Sequence, residues 1–172
     1  MLASVHDSSQ AQLALIYGIH SGRAIMKSPD SVSTLKPFEV IDHTADIGIV
    51  AYGADIKQLF ANAALGLFNL MADLDGLKEN IKRDIELSAE DIEILLIEWL
   101  NELIYISEVE HVIFQRFEIS ELSNTQLKAT CFGTKIKPGQ HRLKREIKAA
   151  TYHMLQLNKE DGNYKVRIIF DI

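Results

Sequence analysis

Hydrophobic positions along this chain switch between two periods, and the switches mark its elements. Phe38–Ile41 and Ile47–Tyr52 are short runs rich in Ile, Val and aromatic residues, as strands are. Between them lies the polar segment Asp42-His43-Thr44-Ala45-Asp46. From Ile56 to Met71 the residues Leu59, Phe60, Ala63, Ala64, Leu67, Phe68 and Met71 recur at helical spacing, with Asp55 ahead of them as N-cap. Gly66 inside that helix costs roughly 1 kcal/mol against Ala and implies close packing. Ile81–Leu87 alternates as a half-buried strand. Ser88 opens a capping box with Asp91, and Glu90-Asp91 sets negative charge at the start of a helix over Glu90–Glu108. That helix is apolar on most sides (Leu95, Leu96, Trp99, Leu100, Leu103, Ile104), so it belongs in the core.

The last third reads as strands over Ile113–Glu118, Gln126–Gly133, Ile147–Leu157 and Lys165–Asp171, with turns at Asn124-Thr125 and Asp161-Gly162. The order β-β-α-β-α-β-β-β-β predicts an α+β fold: one domain, two helices packed on a mainly antiparallel sheet. Residues 1–36 differ from the rest. Ala11–Ile19 is apolar but has neither a basic n-region nor a small-residue cleavage site, so it does not read as a signal peptide. Ser28–Ser33 is a polar linker, and Met26 offers an alternative start. The folded domain is expected over 37–172, with 1–36 a poorly ordered extension or the product of a mis-set start.

Composition narrows the function classes. The 172 residues suit one domain, and 47% apolar with 24% charged is ordinary for a soluble protein. A net charge of −6 argues against general binding to nucleic-acid phosphates, and no DNA partner is expected. A single cysteine, Cys131, excludes an internal disulfide, disfavours a cysteine zinc site and fits a reducing cytoplasm. In an alternating strand it reads as a small buried thiol. No apolar run reaches the length of a membrane span, so no membrane partner is expected.

The candidate chemistry is carboxylate chemistry. Asp46 ends the polar segment, and Asp171 stands beside Ile172 at the end of the chain. If the fold brings these together, two carboxylates and the main-chain terminus of Ile172 make an oxygen cage for a hard divalent cation, Ca²⁺ or Mg²⁺. Taken singly, Asp46 also fits a turn aspartate and Asp171 a solvated chain end. The strand pattern of Arg167–Phe170 ties that end down, and alternation puts Arg167, Ile169 and Asp171 on one face. His43 fits a hydrogen-bonding role in the hairpin better than direct ligation, and His153 fits a satisfied strand histidine. The segment Lys135–Lys148 is basic, with Glu146 its one acidic residue, and reads either as a solvated edge or as a contact for phosphate or an acidic partner. Gly-x-Ser-x-Gly, Walker and His-Glu-x-x-His motifs are absent from the sequence.

Four blocks in order, Asp42–Gly48, Glu98–Leu103, Glu146–His153 and Phe170-Asp171-Ile172, resemble the archease family from about Phe38 to the last residue. Ala150 departs from the family, where a larger β-branched residue is commoner. The resemblance implies an accessory protein and not an enzyme. Its partner would be the RNA ligase that joins 2′,3′-cyclic-phosphate and 5′-hydroxyl ends in tRNA splicing and RNA repair. The accessory protein promotes the ligase's guanylylation with GTP and so its multiple turnover, and meets GTP and RNA only through the ligase. By match, Asp46, Asp171 and Ile172 hold a divalent cation. Lys148 is the matched candidate for a role in activation, with His43 and Asp42 beside the metal ligands. Two other readings fit the same residues: a metal-stabilised chaperone-like or structural binding module, and a metal-dependent phosphohydrolase.

Overall fold

The computed structural model describes residues 36–42, 46–137 and 139–172. The N-terminal extension, with its linker and alternative start, lies outside the described residues. The strands are β1 (Phe38–Asp42), β2 (Ile47–Gly53), β3 (Ile81–Ser88), β4 (Val112–Leu122), β5 (Gln126–Lys135), β6 (Ala149–Glu160) and β7 (Asn163–Asp171). The helices are α1 (Ile56–Met71), after β2, and α2 (Ile92–Glu110), after β3. The order is the one the hydrophobic pattern predicts, and these residues form one α+β domain.

The antiparallel strands divide into two sheets, β1-β2-β7-β6 and β3-β5-β4. This division is invisible to periodicity, because it depends on β2 pairing with β7 from the far end of the domain. Both helices touch both sheets. α1 packs on β2 and on β4, and α2 on β6 and on β3, β4 and β5. A helix with a sheet on either side buries more than one face. That explains the apolar surround of α2, where Trp99 and Leu100 are fully buried and the indole Nε1–H donates to the Phe60 carbonyl at 3.3 Å. Phe68, Phe114 and Phe117 cluster beside Trp99 with ring centroids 5.6–6.5 Å apart, in mostly edge-to-face contacts.

Asp55 caps α1 as expected, accepting from the Gln58 N–H at 2.8 Å. Gly66 is buried, and a Cβ there would come within 2.8 Å of Ile49 Cδ1, so the glycine does serve close packing. The cap of α2 is corrected. Ser88 is the last residue of β3, paired with Gln126, and the cap is Asp91, which accepts from Glu93 and Ile94 N–H groups. The strand outcompetes the capping box because Ser88 is still in the ladder. α2 also runs on to Glu110, and His111 ends it in the left-handed region at φ 54°. The Asp161-Gly162 turn joins β6 and β7 with both φ positive, the geometry that suits the strand twist. β6 begins two residues later than the pattern predicts and bulges between Thr151 and Gln156, where Met154 takes φ 56°. Among the described residues no helix is long and apolar enough to cross a membrane.

Candidate metal centre

The four-stranded sheet builds the site at the end of its two central strands. In the β2–β7 pairing Ile47 faces Phe170 and Gly48 faces Ile169. Asp46 immediately precedes β2, and one step further in the same register would set it opposite Asp171. Opposed residues of an antiparallel pair stand about 4.5–5.5 Å apart at Cα, so the two carboxylates share one end of the sheet. Phe170 is fully buried, and alternation turns its neighbour Asp171 away from the core. Asp171 is exposed and Asp46 half-buried.

Gly48 permits this approach. A Cβ on Gly48 would lie 2.7 Å from the Ile168 carbonyl oxygen and 2.8 Å from Ile169 Cδ1. Any side chain there would force β2 and β7 apart two residues from Asp46.

Lys148 fixes the other side of β7. Its N–H donates to the Asp171 carbonyl at 2.8 Å, and its ammonium donates to the Ile172 main-chain oxygen at 3.1 Å. The residue immediately precedes β6 and does not lie within it. Its position is in turn set by a contact that the sequence pattern does not reveal. Asn101, from the middle of α2, accepts from the Ala150 N–H at 2.8 Å and donates to the Ala150 carbonyl at 3.3 Å. The signal was the single amide of a largely apolar helix, set between Glu98 and Glu102. Ala150 is buried and gripped through its backbone, so the contact depends little on its own side chain.

Asp42 pairs with Ile47 through the backbone, so its main chain lies beside the site. The Asp42 side chain, and all of His43, lie outside the described residues. Among the described residues, no three His, Cys, Asp or Glu side chains gather in one place. The donors on hand are two carboxylates and a main-chain oxygen, all hard. That set suits Mg²⁺, which keeps several waters and takes one or two carboxylates, and Ca²⁺ with further oxygen ligands. A carbonyl-type oxygen has two lone pairs, so the Lys148 contact leaves one on Ile172 for a cation.

The remaining candidates fall elsewhere. His153 lies in β6 as expected, but it is exposed on the bulge, and its ring has no hydrogen-bond partner among the described residues. Cys131 is fully buried, and burial, with Asp84 nearby, pushes its thiol up to about 12. That thiol is inert at neutral pH. The basic segment splits into two roles. Lys144 covers the end of α1: its N–H donates to the Met71 carbonyl and its ammonium to the Asn69 carbonyl. Arg145 and Lys148 form no side-chain ion pair among the described residues.

Residues 38–172 match the model of the archease protein family (MTH1598/TM1083). This chain belongs to the archease family. The archease of Methanosarcina mazei is 38% identical over 141 residues, covering 80% of this chain and 97% of that protein. The archease of Methanothermobacter thermautotrophicus is also 38% identical over 141 residues, covering 80% and 100%. The solution structure of Methanobacterium thermoautotrophicum protein 1598 superposes with a TM-score of 0.68 at 38% identity, over 79% of this chain and 99% of that one. The crystal structure of an archease from Thermotoga maritima, described as a possible chaperone, has a TM-score of 0.53 at 24% identity over 77% and 94%, a likeness of fold alone. Family membership supports the fold class reached from the hydrophobic pattern.

Proposed function

We propose that this chain is a non-catalytic cytoplasmic partner of the RNA ligase that joins 2′,3′-cyclic-phosphate and 5′-hydroxyl ends. Its role is to promote GTP-dependent guanylylation of that ligase and so its multiple turnover in tRNA splicing or RNA repair. The observation that supports the reading is the β2–β7 register, whose last pair, Ile47 with Phe170, stands next to Asp46 and Asp171, with Lys148 holding Ile172 beside them. In this reading Asp46, Asp171 and the Ile172 main-chain oxygen hold a Ca²⁺ or Mg²⁺ ion, which supplies positive charge to phosphate oxygens when bound. Lys148 keeps the last residues of β7 aligned and adds a second positive charge at the same end of the sheet. His43 and Asp42 belong to the surround of the ligands.

Phosphoryl transfer depends mainly on positioning and charge stabilisation, so a partner presenting a cation and an ammonium accelerates it without a nucleophile of its own. The test is accumulation of guanylated ligase from purified ligase, labelled GTP and a divalent cation, with and without this protein. Wild type is expected to stimulate, and Asp171→Ala with Ile172 kept is expected to lose the stimulation. Equal stimulation by Asp171→Ala would sink the reading. If the cation raises the melting temperature while ligase turnover is unmoved, a metal-stabilised chaperone-like module is the better description. Phosphatase activity that vanishes in Asp46→Ala would instead favour a phosphohydrolase.

A further inference from the structure

Asp171 and Ile172 stand past the last pair of the β2–β7 ladder, Ile47 with Phe170, so their main chain is held from the β6 side. There Ala149 pairs with Asp171, Ala150 with Phe170 and Thr151 with Ile169. The Lys148 N–H donates to the Asp171 carbonyl and its ammonium to Ile172. The Thr151 hydroxyl adds a bond to the Ile169 carbonyl at 3.2 Å. Beyond Thr151 the register breaks, and pairing resumes only at Gln156 with Arg167, so Tyr152–Leu155 stand against Ile168 alone. This bulge cuts the short segment Lys148–Thr151 off from the rest of its strand.

β6 is also the edge of its sheet, so the outer backbone groups of that segment meet no further strand among the described residues. Asn101 takes the place of one. Its side-chain amide offers an acceptor and a donor together, and both are used on one residue: it accepts from the Ala150 N–H at 2.8 Å and donates to the Ala150 carbonyl at 3.3 Å. A neighbouring strand would supply the same pair of bonds. The amide is held on a rigid element, because Trp99, Leu100 and Leu103 of α2 are fully buried in the core around it.

We propose that Asn101 is a positioning residue for the cation site. By closing the β6 edge at Ala150 it holds Lys148 on Asp171 and Ile172, and so sets the affinity of a site to which it contributes no ligand. The proposal rests on the reading of Asp46, Asp171 and Ile172 as cation ligands. The residue type follows from the geometry. Aspartate lacks the donor for the Ala150 carbonyl, glutamine is one methylene longer, and leucine fills the space with neither bond. Support behind metal ligands typically carries about 10–100-fold of affinity.

The experiment is isothermal titration calorimetry of Ca²⁺, and separately of Mg²⁺, into the full chain, with amide hydrogen exchange of the metal-free protein beside it. Asn101→Leu is expected to weaken cation binding by about tenfold or more. It is also expected to speed exchange of the Lys148 N–H, which donates to Asp171. Ile85→Ala, at a buried position in β3 of the other sheet, opens a cavity and lowers stability, yet is expected to keep the wild-type affinity. Circular dichroism melts establish that each variant is folded at the titration temperature, and Asn101→Ser, smaller and polar, provides the same test if the leucine variant does not fold. Wild-type affinity in a folded Asn101 variant, unaltered Lys148 exchange, or an equal loss of affinity in Ile85→Ala would each overturn the proposal. A wild-type protein that binds neither ion would instead overturn the ligand reading beneath it, and the proposal with it.

Discussion

The two sheets enclose the same helices and use charge in opposite ways. On the three-stranded sheet, ionic side chains meet partners. Arg116 lies between Glu79 and Glu118 and stacks 3.6 Å from the Phe132 ring centroid. Arg83 meets Glu110, and Lys128 reaches Glu86 at 3.8 Å and Glu121 at 3.6 Å. On the four-stranded sheet the side-chain ion pair among the described residues is Lys36–Glu39, at the far end of β1 from the site. At the near end Asp46 and Asp171 flank the last β2–β7 pair, and neither they nor Lys148 form a side-chain ion pair among the described residues. Exposed pairs of the first kind contribute about 0–1 kcal/mol each and keep a sheet face solvated. Charges left without partners are the ones a ligand can use. The sheet with more salt bridges is the scaffold, and the sheet with fewer holds the candidate site.

The largest expected effect tests the scaffold. A Cβ on Gly133 in β5 would lie 2.1 Å from the Ile113 carbonyl oxygen, backbone that has nowhere to go. Gly133→Ala should therefore cost about 3 kcal/mol in urea denaturation. Gly76→Ala, with φ +73° but nothing within 4 Å, should cost only about 1 kcal/mol. Similar losses for both would mean that the three-stranded sheet yields more easily than its packing implies.

Next comes the response to metal. At about a hundredfold excess over its Kd, Ca²⁺ or Mg²⁺ should add ~2.7 kcal/mol to stability in calorimetric scans. Asp46→Asn or Asp171→Asn should remove that gain. Glu118→Gln, on the other sheet, should retain it, and a gain that follows Glu118 would break the comparison.

Asn101 joins α2 to the site. Asn101→Ala strips both partners from the Ala150 backbone and should cost about 2 kcal/mol. Hydrogen exchange at Ala150 should speed up more than at Thr130 in β5, and uniform acceleration would make Asn101 a general core residue.

The smallest effect concerns acid. The hydrogen bonds from Arg116, reinforced by its charge, hold the Glu79 carboxyl below its ordinary value of 4.5. A depressed carboxylate stabilises the fold above its unfolded value and loses that contribution as pH falls through the folded one. Glu79→Gln should lower neutral stability slightly, leave stability in strong acid nearly unchanged, and so flatten the acid limb of the stability curve below about pH 4.5. An unaltered acid limb would show that the pair does not respond to protonation as its geometry implies.

Much of the fold was legible because each element carries its own period. The helix over Ile56–Met71 and its Asp55 cap are local facts, written in consecutive residues. The Asp161-Gly162 turn is equally local. The misplaced cap at Ser88 shows the limit: two local signals competed three residues apart, and only the β3–β5 ladder decided between them. The candidate site was legible as residue types but not as a place. Asp46 and Asp171 are carboxylates in any reading of the chain, yet their juxtaposition depends on a long-range register that no local pattern encodes. The Asn101 grip on Ala150 was hidden for the same reason, since a helix amide names no partner until the edge strand arrives.

The central position of β7 has a consequence in time. It lies between β2 and β6, so the β1–β2 hairpin cannot complete its sheet until the strand that follows everything else has been made. Such non-local pairing is slow, and meanwhile β2 offers an open edge of Ile47, Ile49 and Ala51, the hazard of an unfinished sheet. Asp46 and Asp171 become neighbours only when that edge closes. Cation binding at this end of the sheet would thus serve as a clock for the final step of folding, silent in every intermediate that lacks the last strand.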